Sequence, residues 1–262
     1  MGKITDALKK AADDRVEHME KVNRIKRHDS YVVRQMEDSK IDPRIISYFD
    51  PKATVSEQYK ILRTNVLSLS KKDKPHKALV ITSSNRGEGK TITTINLAIS
   101  MIRSRANMKI LVIDADMRRG RVDKYLGLDQ EIGLAQVLSG DAAVEEALFS
   151  IDVPNLTFMA AGQIPENPVE LLASRNMSQL ISTLRKEYDL ILIDTPPVIP
   201  VTDASIISDM ADGVLMVIQA GKTQRGLVKR AEELLYQAHA KILGHVLTNI
   251  EYHLPEYIYR YL

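Results

Sequence analysis

Cysteine is missing altogether from the 262 residues, which excludes a disulfide scaffold and thiol chemistry and suits a cytosolic protein. No apolar run approaches the ~20 residues needed to cross a bilayer. The opening Met1-Gly2-Lys3-Ile4-Thr5-Asp6 lacks a signal-peptide core, and Asp6 stands where N-myristoylation requires Ser or Thr. An excess of one charge is lacking too. The 36 Lys and Arg face 34 Asp and Glu, and a net +2 gives no general reason to expect nucleic acid as a partner. There is no internal repeat or low-complexity tract, and His239, His245 and His253 fall at no metal-ligand spacing. The expectation is a soluble cytoplasmic chain that reaches the inner face of the plasma membrane only through a partner.

What is present is an ordinary globular composition, 44% hydrophobic and 27% charged, in a length that suits one large α/β domain with short appendages. Residues 3–27 are charged, contain no Gly or Pro, and carry Ile4, Leu8, Ala11, Met19, Val22 and Ile25 near helical spacing. They read as a long, thinly apolar helix, either solvated or docked on a partner or membrane surface. Residues 28–50 show no clear period and read as a linker. Val55, Tyr59, Leu62, Val66 and Leu69 then step by three and four residues through an amphipathic helix over 54–69. Strands are expected at 78–82, 109–114, 156–160, 189–194, 213–218 and 242–248. Helices are expected at 90–104, within 133–148, and at 169–187, 203–209 and 223–239. After their opening Lys109 and Asp189, the runs at 109–113 and 189–193 are continuously apolar rather than alternating, as in a parallel sheet covered on both faces.

Three motifs sit at the ends of strand-like runs, at the sheet edge where open α/β proteins bind ligands. The first is Ser84-Asn85-Arg86-Gly87-Glu88-Gly89-Lys90-Thr91. A phosphate loop needs glycines so that its N–H groups can turn inward, a lysine for the outer phosphates and a hydroxyl for Mg²⁺. Gly87, Gly89, Lys90 and Thr91 supply these, with Glu88 and Ile92 as neighbours on the loop and the following helix. Ser84 replaces the usual first glycine. The second motif, Leu111-Val112-Ile113-Asp114-Ala115-Asp116, leaves two carboxylates at a strand end, followed by Arg118 and Arg119. Two acids there are electrostatically costly unless a cation or hydrogen-bond donors neutralise them. The third is Asp194 after four aliphatic residues, with Pro196-Pro197 stiffening the exit. Singly, each has a bland reading as a structural turn, a helix cap or a surface acid. Together they point to ATP with Mg²⁺.

Four of the chain's ten tyrosines, Tyr252, Tyr257, Tyr259 and Tyr261, fall in the last eleven residues, where even placement would give fewer than one. Pro255 discourages a continuous helix, and a terminus is ordinarily mobile. Such a segment suits an autophosphorylation substrate, each phosphate adding roughly −1.5 to −2 charge. The alternative is an aromatic strand packed on the domain edge. Tyr31, Tyr48 and Tyr59 read as packing residues, and Arg225, Lys229 and Arg230 as a solvated basic helix face or a surface for an acidic partner or the membrane.

The trio resembles the Walker A, A′ and B motifs of the bacterial tyrosine kinases that accompany polysaccharide export, a branch of the P-loop ATPases that includes the chromosome-partitioning and septum-site proteins. Further similar stretches begin at Glu57-Gln-Tyr-Lys60-Ile-Leu-Arg63, Gly162-Gln-Ile-Pro165, Val198-Ile-Pro-Val-Thr202-Asp203 and Gly244-His-Val-Leu-Thr-Asn249. The opening eleven residues resemble stand-alone cytoplasmic members without a fused transmembrane adaptor. The resemblance implies a P-loop NTPase-type, doubly wound α/β fold with a mainly parallel sheet and helices on both faces. It implies a helical extension and linker over 1–50, a kinase/ATPase domain over 51–248 and a tyrosine-rich tail over 249–262. By the same resemblance Thr91, Asp114 and Asp194 hold Mg²⁺, Lys90 holds phosphate, Asp116 accepts the tyrosine proton and Asn249 lies near the adenine. Glu57, Lys60 and Arg63 correspond to a helix that contacts a neighbouring subunit in a ring, although lysine at 60 replaces an arginine and cannot reproduce its bidentate contact. Implied partners are a membrane-bound polysaccharide co-polymerase or activator and a tyrosine phosphatase. Gly120, where proline is common, is expected to matter little.

The leading expectation is therefore an ATP-dependent tyrosine autokinase regulating exopolysaccharide polymerisation or export. The alternative is a partitioning-type ATPase switch that hydrolyses ATP to control partner or membrane association. That class carries a second lysine five positions before the loop lysine, where this chain has Asn85.

Overall fold

The computed structural model describes residues 39–72 and 76–250. Both the amino-terminal helix expected over 3–27 and the tyrosines from Tyr252 onward lie outside those residues. A short helix α1 (Ile46–Phe49) and the amphipathic α2 (Thr54–Lys72) precede β1 (Ala78–Ser83), α3 (Lys90–Ser104) and β2 (Ile110–Asp114). Next come α4 (Val122–Tyr125), α5 (Leu134–Ser139), the 3-10 turn Glu145–Ala147, β3 (Leu148–Ser150) and β4 (Leu156–Met159). The chain continues through α6 (Pro168–Leu172), α7 (Arg175–Glu187), β5 (Leu190–Asp194), α8 (Asp203–Asp209), β6 (Gly213–Gln219), α9 (Arg225–Gln237) and β7 (Ile242–Thr248).

The sheet runs β3-β4-β2-β5-β1-β6-β7, and every pairing is parallel except β3 with β4. Alternate residues of one strand enter separate cores. Ala78 and Val80 of β1 pack with Leu180 and Leu184 of α7 and Ala231 of α9, whereas Leu79 and Ile81 pack with Ile95 and Ile99 of α3. Two covered faces explain why β1, β2 and β5 are apolar up to the polar residues at their carboxyl ends. No helix among the described residues is long and apolar enough to cross a membrane.

Two local readings need correction. Part of the expected linker is built into the second core: Ile41, Ile45 and Phe49 are buried there, and Asn96 of α3 accepts the Ser47 N–H at 2.8 Å while donating to the Arg44 carbonyl at 3.0 Å. The helix expected over 169–187 is two helices. Ser174 caps α7 by accepting the Met177 N–H at 3.3 Å, so the chain turns there instead of continuing. The helical segments expected within 133–148 are there, as α5, which ends at left-handed Gly140, and the 3-10 turn Glu145–Ala147; the short edge strand β3 that follows was not expected.

Candidate active site

Strands β2, β5 and β1 are neighbours, so the three motifs that follow them meet at one carboxyl edge. Gly87 and Gly89 have φ of 81° and 90°, left-handed values that a side chain would strain. Gly89 is the N-cap of α3 and no side chain caps it, which leaves the first-turn N–H groups for an anion. Glu88 turns away from that task. It is buried, accepting the Asn85 N–H at 2.7 Å and the Thr223 hydroxyl, while its main-chain oxygen accepts the Thr248 hydroxyl at 2.7 Å. Its side chain braces the loop, so only its main chain can serve phosphate.

Lys90 Nζ stands 3.4 Å from Asp116 Oδ2 and 3.8 Å from Asp194 Oδ2. Thr91 donates its hydroxyl to Asp194 at 2.6 Å. Asp114 and Asp194 occupy the same register on adjacent strands, so both side chains leave the sheet on one face. Asp114 also organises the loop after β2, accepting the N–H groups of Asp116 at 3.0 Å, Arg121 at 2.7 Å and Val122 at 2.9 Å. Burial, reinforced by Asp194, pushes the Asp114 carboxyl up to about 7 against these hydrogen bonds. Burial likewise raises Asp194, although Lys90 and Thr91 oppose it. Burial pulls the Lys90 ammonium down, but Asp194, Asp116 and Asp114 outweigh it and hold the charge above the ordinary lysine range.

These residues fit a nucleotide with its divalent cation. Buried acids held against their own ionisation are short of positive charge, and an uncapped helix end beside a lysine is short of negative charge. No group of three His, Cys, Asp or Glu side chains among the described residues could hold a metal ion alone.

Other expected residues divide. Ile92 lines the cleft with Gly87, Gly89, Lys90, Thr91 and Asp116. Asn249 is exposed just past β7 with φ of 52°, adjoining Thr248, which packs on Gly89, but it is not part of the cleft lining. Glu57 and Lys60 pair with each other at 2.5 Å on the outer face of α2. Arg63 turns inward instead and donates to the Ser100 carbonyl at 2.9 Å. Gly120 overturns its expectation of little consequence, because an added Cβ would fall 2.5 Å from Ala161 Cβ and 2.9 Å from Asp114 Oδ2. Sequence reasoning missed Arg119, Arg121, Tyr125 and Pro197 as lining residues of the cleft. Proximity to Asp116 could have signalled the arginines, but nothing in the sequence singled out Tyr125.

Fold and site together define a nucleotide-binding α/β protein of the P-loop class, and residues 76–240 match the AAA domain family. Tyrosine-protein kinase YwqD of Bacillus subtilis (strain 168) is 35% identical over 216 residues, covering 82% of this chain and 90% of that protein. The chain belongs to the bacterial tyrosine-protein kinase family. Its fold superimposes on the chimerical protein CapA2B2 with a TM-score of 0.75 at 32% identity, over 81% of this chain and 93% of that one. The cell division ATPase MinD of Pyrococcus furiosus shares the fold more distantly, with a TM-score of 0.55 at 27% identity over 66% of this chain and 71% of that one.

Proposed function

We propose that this tyrosine kinase transfers the γ-phosphoryl group of ATP to its own carboxyl-terminal tyrosines, Tyr252, Tyr257, Tyr259 and Tyr261. The observation that carries the reading is the convergence of Lys90, Thr91, Asp116 and Asp194 within hydrogen-bonding or ion-pair distance at the mouth of the glycine loop. Phosphoryl transfer requires mostly positioning and charge neutralisation. The loop N–H groups and the end of α3 hold the phosphates, and Lys90 draws charge off the transferring oxygens. Asp116, already carrying the Arg119 N–H on Oδ1 at 3.0 Å, keeps Oδ2 toward Lys90 and accepts the tyrosine proton. Thr91, Asp194 and Asp114 would hold Mg²⁺, which would supply charge neutralisation to the phosphates. Asn249, next to the loop, would border the adenine.

In this reading a neighbouring copy in a ring presents the acceptor segment, with Glu57 and Lys60 on the outer contact face. A membrane-bound polysaccharide co-polymerase activates the kinase, a tyrosine phosphatase resets it, and the phosphorylation cycle regulates exopolysaccharide polymerisation or export. The test is site mapping by mass spectrometry after incubation with Mg·ATP, using the intact chain, Lys90→Met and a chain ending at Glu251. Phosphotyrosine beyond Glu251 in the intact chain alone supports the proposal. Phosphate release with an unmodified chain would favour the ATPase switch.

A further inference from the structure

Beside the nucleotide cleft lies a second cavity lined by Arg118, Arg119, Arg121 and Lys124. Arg119 and Arg121 line both, so the two spaces adjoin through them. Two acids, Asp123 and Asp129, share the lining. Asp123 is already engaged, its oxygens accepting the N–H groups of Lys124 at 2.8 Å and Gln130 at 3.1 Å. With the Asp203 carboxylate paired to Arg118 counted beside these two acids, four cations face three carboxylates, an excess of one positive charge.

Arg118 is fixed from behind. Its Nε donates to Asp203 Oδ2 at 3.2 Å, and Asp203 is fully buried with its other oxygen, Oδ1, unpartnered. A half-satisfied buried carboxylate is costly, and here it holds one guanidinium in place at the cavity wall. Arginine held in this way presents its remaining N–H groups to planar anions such as carboxylates.

An anion seated there would lie next to a phosphoryl donor in the adjoining cleft. Among the four tail tyrosines, Tyr252 follows Glu251 and Tyr257 follows Glu256, whereas Tyr259 follows Ile258 and Tyr261 follows Arg260. We infer that the cavity is a recognition subsite for an acidic side chain directly preceding the acceptor tyrosine, which selects Tyr252 and Tyr257 and disfavours Tyr261. The inference rests on the autokinase reading and adds the rule by which acceptors are chosen.

The test is a time course of site occupancy by mass spectrometry on the full chain with Mg·ATP. The set is the unaltered protein, Glu256→Gln, Lys124→Glu, and Lys124→Glu combined with Glu256→Lys. Tyr252 and Tyr257 should fill first. Glu256→Gln should slow Tyr257 about fivefold, the scale of one partly exposed ion pair, while Tyr252 in the same chain keeps its rate. Lys124→Glu should slow both, and the charge-swapped combination should recover Tyr257 alone. Equal filling of all four tyrosines, or an unchanged Tyr257 rate in Glu256→Gln, would overturn the subsite and leave the autokinase standing. Absence of phosphotyrosine from the unaltered chain would instead overturn both.

Discussion

Lys90 touches both Asp116 and Asp194, so its removal should act on binding before it acts on chemistry. Lys90→Met is expected to weaken Mg·ATP affinity by at least about tenfold in titration calorimetry, equivalent to ~1.4 kcal/mol. Undiminished affinity would mean the lysine does not meet phosphate. Gly120 tests the ground under Asp114. Gly120→Ala drives a methyl into Ala161 and the Asp114 carboxylate, with an expected loss of about 1–3 kcal/mol in urea unfolding, the usual range for overpacking. A fully stable Gly120→Ala would show that the loop yields freely.

At the scale of elements, Asp212 pins the start of β1. Its Oδ2 accepts the Lys77 and Ala78 N–H groups at 2.7 and 2.8 Å, and Arg185 donates to Oδ1 at 2.8 Å. Burial alone would raise this carboxyl, but these donors outweigh it and hold it below the ordinary value of 3.8. Its stabilisation is therefore present above that value and is lost as pH falls through the lower folded one. Asp212→Asn should cost stability at pH 7 and match the unaltered protein in strong acid, as urea midpoints across pH would show. The segment around α1 makes a second test. Asn96→Ala breaks its bonds to Ser47 and Arg44 and should cost about 1–3 kcal/mol, with faster amide exchange confined to residues 41–50. These elements also show what could be read in advance. Apolar runs at β1, β2 and β5 were legible because a strand covered on both faces has no polar alternative, and the acids ending β2 and β5 stood out against them. The segment from Ile41 to Phe49 was not legible, since three apolar anchors in a short irregular stretch make no period. The break before α7 depended on a single serine cap, and the bracing role of Glu88 depended on Thr223 and Thr248, distant in sequence.

At the scale of the whole molecule, the order β2-β5-β1 matters more than any one motif, because it brings three separated segments to one edge. On α2, Glu57 and Lys60 pair with each other, whereas Arg63 bonds the Ser100 carbonyl of α3 and ties the two helices together. The most direct measurement follows the γ-phosphoryl group itself. With γ-labelled ATP, Mg²⁺ and the intact chain, label should accumulate as phosphotyrosine in the peptide following Ile250 and be lost in Asp116→Asn. Label recovered only as inorganic phosphate, with the chain unmodified, would contradict transfer from the cleft to the chain's own tyrosines.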